Sequence, residues 1–116
     1  MKREYHLYVQ DILDAIEKIE EFVGPSTYDK FIDDDKTRSA VVRKLEIIGE
    51  ASKCVPESIR HKHKAVPWKE MARMRDKISH DYFGVDYEIV WKVLKEKLPH
   101  LKPQIRNIIT EIDNDK

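Results

Sequence analysis

From Tyr5 onward, apolar residues return every three or four positions, stretch after stretch, almost to the end of the chain. That spacing places them on one face of an α-helix and constrains the chain more than any other feature. Tyr5, Tyr8, Ile12, Ala15, Ile16, Ile19 and Phe22 predict a first helix over residues 4–23, stopped by Gly24-Pro25. Ser26 can cap a short helix reaching Phe31, with Asp29 three residues on as in a capping box. The run Asp33-Asp34-Asp35 suits the start of the next helix, where carboxylates cap free N–H groups and complement the dipole.

Residues 36–55 predict a long helix with two faces. Val41, Leu45, Ile48, Ser52 and Val55 form an ordinary core stripe. Arg43, Ile47, Glu50 and Cys54 form a second stripe, with Glu46 beside it. Aliphatic residues among charges point to a partner on that side, so Arg43, Glu46, Ile47 and Glu50 are the expected dimer face; a plain solvated face is the alternative. Pro56 opens a short helix. Val66-Pro67-Trp68 opens a longer one, lined by Trp68, Met71, Ala72, Ile78 and Tyr82 and ended by Gly84. Asp86 caps the next, carrying Ile89, Val90, Val93 and Leu94. Pro99 and Pro103 break or restart the chain before a last amphipathic helix with Ile105, Ile108, Ile109 and Ile112. Three glycines in 116 residues are too few for a turn-rich β domain, and no strand pattern or repeat is visible. The expectation is a single domain over residues 1–116, an all-α antiparallel bundle of four to five main helices plus short connecting ones.

The lone Cys54 excludes a disulfide framework and a cysteine-based zinc site, and as a nucleophile it lacks a setting. No apolar run matches a membrane span. Glu4 and Asp11 stand where an export leader needs apolar residues, so the expected location is cytoplasmic. His61 and His63, two apart, do not share a helix face and have no evident third ligand, so no metal or other cofactor is expected.

Formal net charge is zero, which excludes a globally basic nucleic-acid binder. The charge is unevenly spread, however. Residues 60–77 hold seven Lys or Arg (60, 62, 64, 69, 73, 75 and 77) against Glu70 and Asp76, a local balance of +5. Such a patch concentrates a phosphate backbone near it; a solubilising face is the equally simple reading. Within it stands RDKISHDY. On one continuous helix Arg75 and His80 lie about 140° apart and about 7.5 Å along the axis, flanking a groove, with Tyr82 two turns from Arg75. Arg is a planar donor for phosphate and His moves protons near neutrality. Together they suffice for RNA cleavage: a base takes the 2′-hydroxyl proton, the oxygen attacks the adjacent phosphate, and a cation stabilises the phosphoryl charge. Two copies facing each other supply acid, base and two cations. Spacing alone also fits an exposed Arg and a helix-end His.

The pattern Arg75, four residues, His80, one residue, Tyr82 resembles the HepT-like toxins of the HEPN superfamily. AVVRKLEIIGEASK (residues 40–53) is similar to that family's long second helix, and VPWKEMARMRDKISHDYFGVDYEIVW (residues 66–91) to its central block. LPHLKPQI (residues 98–105) and DILDAIEKI near the start extend the resemblance over essentially the whole chain. It implies a homodimeric all-α bundle with Arg75 and His80 of both copies in one cleft, acting as a metal-independent ribonuclease. It implies an RNA substrate and, as partner, a nucleotidyltransferase antitoxin that silences the toxin by transferring AMP to Tyr82. Arg73, Asp76, Lys77 and Ser79 are then cleft or substrate-binding residues. Asp76 stands where the family commonly has Asn, and Arg73 where Gly is common; a carboxylate beside Arg75 can pair with it or orient it. The alternative is a non-catalytic HEPN module that holds a nucleotidyltransferase or a nucleotide in its cleft.

Overall fold

A computed structural model describes residues 2–80 and 84–114, without the side chains of residues 2–4, 79 and 80. Helix α1 spans Lys2–Val23, α2 Tyr28–Asp33, α3 Asp35–Cys54, α4 Glu57–Lys62, α5 Trp68–Ala72 and α6 Met74–Ile78. Two short strands follow, β1 (Ser79–His80) and β2 (Gly84–Val85), then α7 (Tyr87–Lys92), a π-helical turn (Val93–Lys97) and α8 (Leu98–Asn114). The all-α expectation holds, with this two-residue ladder as its one addition among the described residues.

The core sits where α1 packs on α3 and α8, and α3 on α5 and α6. The core stripe of α3 is as expected: Val41, Leu45, Ile48, Ser52 and Val55 are all buried. The Ser52 hydroxyl donates to the Ile48 carbonyl at 2.6 Å, so its burial leaves no orphan donor. On α1 the buried stripe takes in Val9 and Leu13, whereas Phe22 is exposed and Val23 packs against the core instead. Gly24 takes φ +54°, and its N–H donates to the Glu20 carbonyl at 2.9 Å.

The caps follow the polar residues, with one shift. Asp34 caps α3: the Thr37 N–H donates to its carboxylate at 3.0 Å and the Thr37 hydroxyl at 2.6 Å. Those bonds hold the Asp34 carboxyl below its ordinary range. Helix α2 is capped by Thr27, not Ser26; the Lys30 N–H reaches the Thr27 hydroxyl at 3.3 Å. The prolines do not break the C-terminal helix. The chain widens to a π turn just before Pro99, the Leu98 N–H donating to the Val93 carbonyl, so that the proline ring avoids the clash it meets in a tight α turn. Pro103 lies inside α8.

Helix α2 is tied to α7 by aromatic rings. Phe31 lies 5.2 Å and Tyr28 5.8 Å from Trp91, and Phe31 lies 6.4 Å from Tyr87. The Arg38 guanidinium covers the Tyr87 ring at 4.9 Å. Helix α8 is tied to the chain before α5: Gln104 donates to the Ala65 carbonyl at 3.0 Å, and His63 meets Glu111 at 3.0 Å. No helix among the described residues is long and apolar enough to cross a membrane.

A close junction lies between α3 and the α5–α6 pair. A Cβ on Gly49 would stand 3.3 Å from the Met71 carbonyl oxygen and 3.6 Å from the Met74 Cβ. Gly49 therefore lets the backbone of α5 approach α3 closely. Gly49→Leu is expected to force the helices apart at a cost of about 1–3 kcal/mol. Thermal unfolding followed by circular dichroism should show a fall in Tm of roughly 5–15 °C; an unchanged Tm would contradict the close approach.

Candidate active site and basic groove

Local packing sets which way each charged side chain of the RMRDK segment points. The Trp68 indole N–H donates to the His63 carbonyl at 3.0 Å, anchoring the start of α5. Met71, Met74 and Ile78 are buried against α3. With Met74 and Ile78 inward, the 100° step of a helix sends Arg75 to one flank of α6, Asp76 to its crest and Lys77 to the other flank. The contacts agree. Arg75 meets α3, its Nε 3.7 Å from the Glu46 carboxylate. Lys77 turns the opposite way and donates to Glu70 at 2.6 Å.

The Arg75 side chain is 71% exposed. At 3.7 Å from Nε the Glu46 carboxylate is an ion-pair partner without hydrogen-bond geometry, and at such exposure a pair contributes about 1 kcal/mol at most. The guanidinium is thus oriented by Glu46 yet stays in solvent, where a phosphate can reach it.

Helix α6 ends at Ile78, so Arg75 and His80 do not share one continuous helix through Gly84, and the ideal-helix angle and rise do not apply. Ser79 pairs with Val85 and His80 with Gly84 in an antiparallel ladder. The Asp86 N–H donates to the Ile78 carbonyl at 2.6 Å, closing the ladder at its base. Gly84 has φ +77°, a left-handed conformation that residues with a Cβ avoid; it lies in the ladder and is not, as expected, the end of the helix. Asp86 then starts α7 as expected, accepting from the N–H groups of Glu88 and Ile89 at 3.1 and 3.2 Å. The His80 backbone is thereby fixed just beyond the helix that carries Arg75. Tyr82 and the side chains of Ser79 and His80 lie outside the described residues.

The other expected cleft residues separate from Arg75. Arg73, Asp76 and Lys77 line an open groove of about 1140 Å³ between α4 and the α5–α6 pair. The carboxylate at Arg75 is Glu46 on α3, not its sequence neighbour Asp76. Glu46, read from the sequence only as part of a partner face, is a site residue missed in that role. Its signal was position: Glu46 lies one turn before Gly49 on the face of α3 that meets the site helices. Of the expected dimer face, Arg43 and Glu50 are exposed, Glu46 and Ile47 half-buried. Among the described residues no three His, Cys, Asp or Glu side chains gather as metal ligands, and His63 is paired with Glu111.

The bundle is helical apart from the short β1–β2 ladder, as the sequence resemblance implies for the fold. The family model "Ribonuclease HepT-like" matches residues 12–108, and the chain belongs to this HepT-like family. "Probable ribonuclease HepT" of Thermococcus cleftensis is 50% identical over 108 residues, covering 93% of this chain and 98% of that one. A protein of Methanocaldococcus jannaschii named as a putative RNase is 43% identical, over 98% of this chain and 94% of its own. A similarly named protein of Caldanaerobacter subterraneus subsp. tengcongensis is 44% identical over 88% of this chain and 91% of its own. No solved structure matches the chain.

The hydrogen bond from Lys77, with the charges of Lys77 and Lys97, holds the Glu70 carboxyl below its ordinary value of 4.5. A carboxyl lowered by folding adds stability above its unfolded pKa and loses it as pH falls through the folded one. The Tm difference between the parent and Glu70→Gln is therefore expected to be constant above about pH 5 and to shrink in more acid solution. A difference that grows on acidification would contradict the pairing.

Proposed function

We propose that this protein is a metal-independent endoribonuclease toxin of a toxin–antitoxin pair, with a composite active site in a dimer cleft. The observation that carries the reading is the solvent-facing Arg75 of a HepT-like chain, with the His80 backbone fixed by the β1–β2 ladder immediately after the same helix. The names of the relatives support the choice of RNA as substrate.

In the reaction, the 2′-hydroxyl loses its proton to an imidazole acting as base. The oxygen attacks the adjacent phosphorus, and the bond to the 5′-oxygen breaks. That oxygen takes a proton from an imidazolium acting as acid, leaving a 2′,3′-cyclic phosphate and a 5′-hydroxyl. His80 supplies these proton transfers, from one copy as base and from the other as acid. Arg75 binds the scissile phosphate and stabilises the charge on its non-bridging oxygens. The α3 face with Arg43, Glu46, Ile47 and Glu50 joins the two copies. A nucleotidyltransferase antitoxin controls the site by placing AMP on Tyr82, which adds bulk and negative charge where RNA phosphate must sit.

The second reading is a non-catalytic module that holds a nucleotidyltransferase or a nucleotide. The Glu46 carboxylate favours it, since an acid 3.7 Å from Arg75 opposes an incoming phosphate. Cleavage of RNA by the purified protein in EDTA separates the two. His80→Ala is expected to lower the rate by about 10²–10⁴-fold with the helical dichroism unchanged. Arg75→Lys should also be impaired, because an ammonium does not reproduce the planar guanidinium. A parent of unmodified mass that cuts nothing would favour the binding module. A parent heavier by one AMP would be the silenced toxin.

A further inference from the structure

The open groove between α4 and the α5–α6 pair lies on the flank of α6 opposite Arg75 and takes no part in the chemistry described above. Its rim carries Arg60, His61, Lys64, Lys69, Arg73 and Lys77. Three acids also line it: Glu57, Asp76 and Glu70. Glu70 is already engaged by Lys77 at 2.6 Å and by Lys97, from outside the groove, at 3.8 Å. Among the described residues Lys64, Lys69 and Arg73 form no ion pair, and the buried Nε of Arg60 has no hydrogen-bond partner. The groove floor includes the buried side chains of Val66 and Trp68. Unneutralised cations converging over an apolar floor suit a polyanion that also brings apolar surface. A nucleic-acid strand is such a ligand: phosphates to the rim, sugar and base faces to the floor.

We infer that this groove is a track for single-stranded RNA, holding phosphates that flank the one cut at Arg75. The choice of RNA over another polyanion rests on the ribonuclease reading. Arg75 and the groove are separated by the width of α6, about 10 Å. A strand whose scissile phosphate sits on Arg75 crosses the crest of the helix at Asp76 and lays its neighbouring nucleotides between Arg73 and Lys64. The groove then sets affinity and the minimum length of strand engaged, while Arg75 and His80 carry the chemistry. Contacts of this kind go to the backbone and are sequence-independent.

The test is binding of a 2′-O-methyl 12-nucleotide RNA, which the proposed reaction cannot cut, by the full-length protein across a range of salt. Arg60→Gln/Lys64→Gln/Lys69→Gln removes three rim cations. Lys18→Gln/Lys36→Gln/Lys92→Gln removes three exposed lysines from elsewhere and matches its net charge. At a loss of about 0.7 per phosphate contact, the groove variant should lower the slope of log affinity against log salt by about 2. It should also weaken binding about tenfold or more near 0.1 M salt, whereas the control binds as the parent does. Because Arg60 is half-buried, Lys64→Gln/Lys69→Gln, at two exposed positions, serves as a second variant, with a slope reduced by about 1.4. Equal weakening by the groove and control variants, or parent-like binding by the groove variants, overturns the track. Cleavage of unmodified RNA by the parent is scored separately. Groove-dependent binding without cleavage, by a parent of unmodified mass, keeps the track and removes the nuclease reading; cleavage with groove-independent binding does the reverse.

Discussion

The close approach of α5 to α3 at Gly49 governs the geometry of the whole site. With 3.3 Å between the place of a Cβ there and the Met71 carbonyl oxygen, even one added carbon presses on the α5 backbone, and a bulky side chain meets it directly. Once α5 is seated, Met71, Met74 and Ile78 are fixed as the inward face, and the helical step fixes the rest. Arg75 can then point only to the α3 side, where Glu46 meets it, and Lys77 only to the groove side, where Glu70 meets it. The burial of Met74 and Ile78 therefore sets which cation faces α3 and which the groove, and Gly49 marks where α5 seats on α3. The Phe31–Trp91–Tyr87 ring cluster ties α7 to α2, and the Asp86 cap starts α7 directly after the ladder.

Two charged surfaces thus arise from one short helix. On the α3 side the guanidinium is exposed and only lightly engaged by a carboxylate. On the other side the cations outnumber their counter-ions. The chain as a whole has no net charge, so its interaction with a polyanion depends on this segregation. Residues 60–77 concentrate the basic charge in sequence, and the fold divides it into two faces separated by the crest at Asp76.

Much of this is legible in the sequence, and the reason is helical periodicity. The buried stripes of α1, α3 and α8, the stop at Gly24 and the caps at Asp34 and Asp86 all follow from residue spacing and side-chain hydrogen-bonding capacity. What escaped was set by contacts between distant segments. The end of α6 at Ile78 has no local marker, because Ser79 and His80 continue a helix-compatible pattern. The helix stops because the backbone there pairs with Gly84 and Val85 and because the Asp86 N–H takes the Ile78 carbonyl. Glu46 looked like one charge on a partner face, since nothing local tells that α6 delivers Arg75 to it. The prolines misled for a related reason: the π turn of Val93–Lys97 absorbs Pro99, where local rules predict a break. Arg75 stands out by its spacing to His80 and Tyr82, the relation on which the family resemblance rests.

Cleavage by Arg75 and His80 through attack of the RNA's own 2′-hydroxyl, as proposed, leaves a distinctive pair of ends. The most direct measurement is mass analysis of the ends left when the protein is incubated in EDTA with a defined RNA and, in parallel, with its 2′-O-methyl counterpart. A 2′,3′-cyclic phosphate and a 5′-hydroxyl are expected from the RNA, with no product from the methylated strand. Products with 5′-phosphate ends, or cleavage of the methylated strand, would contradict it.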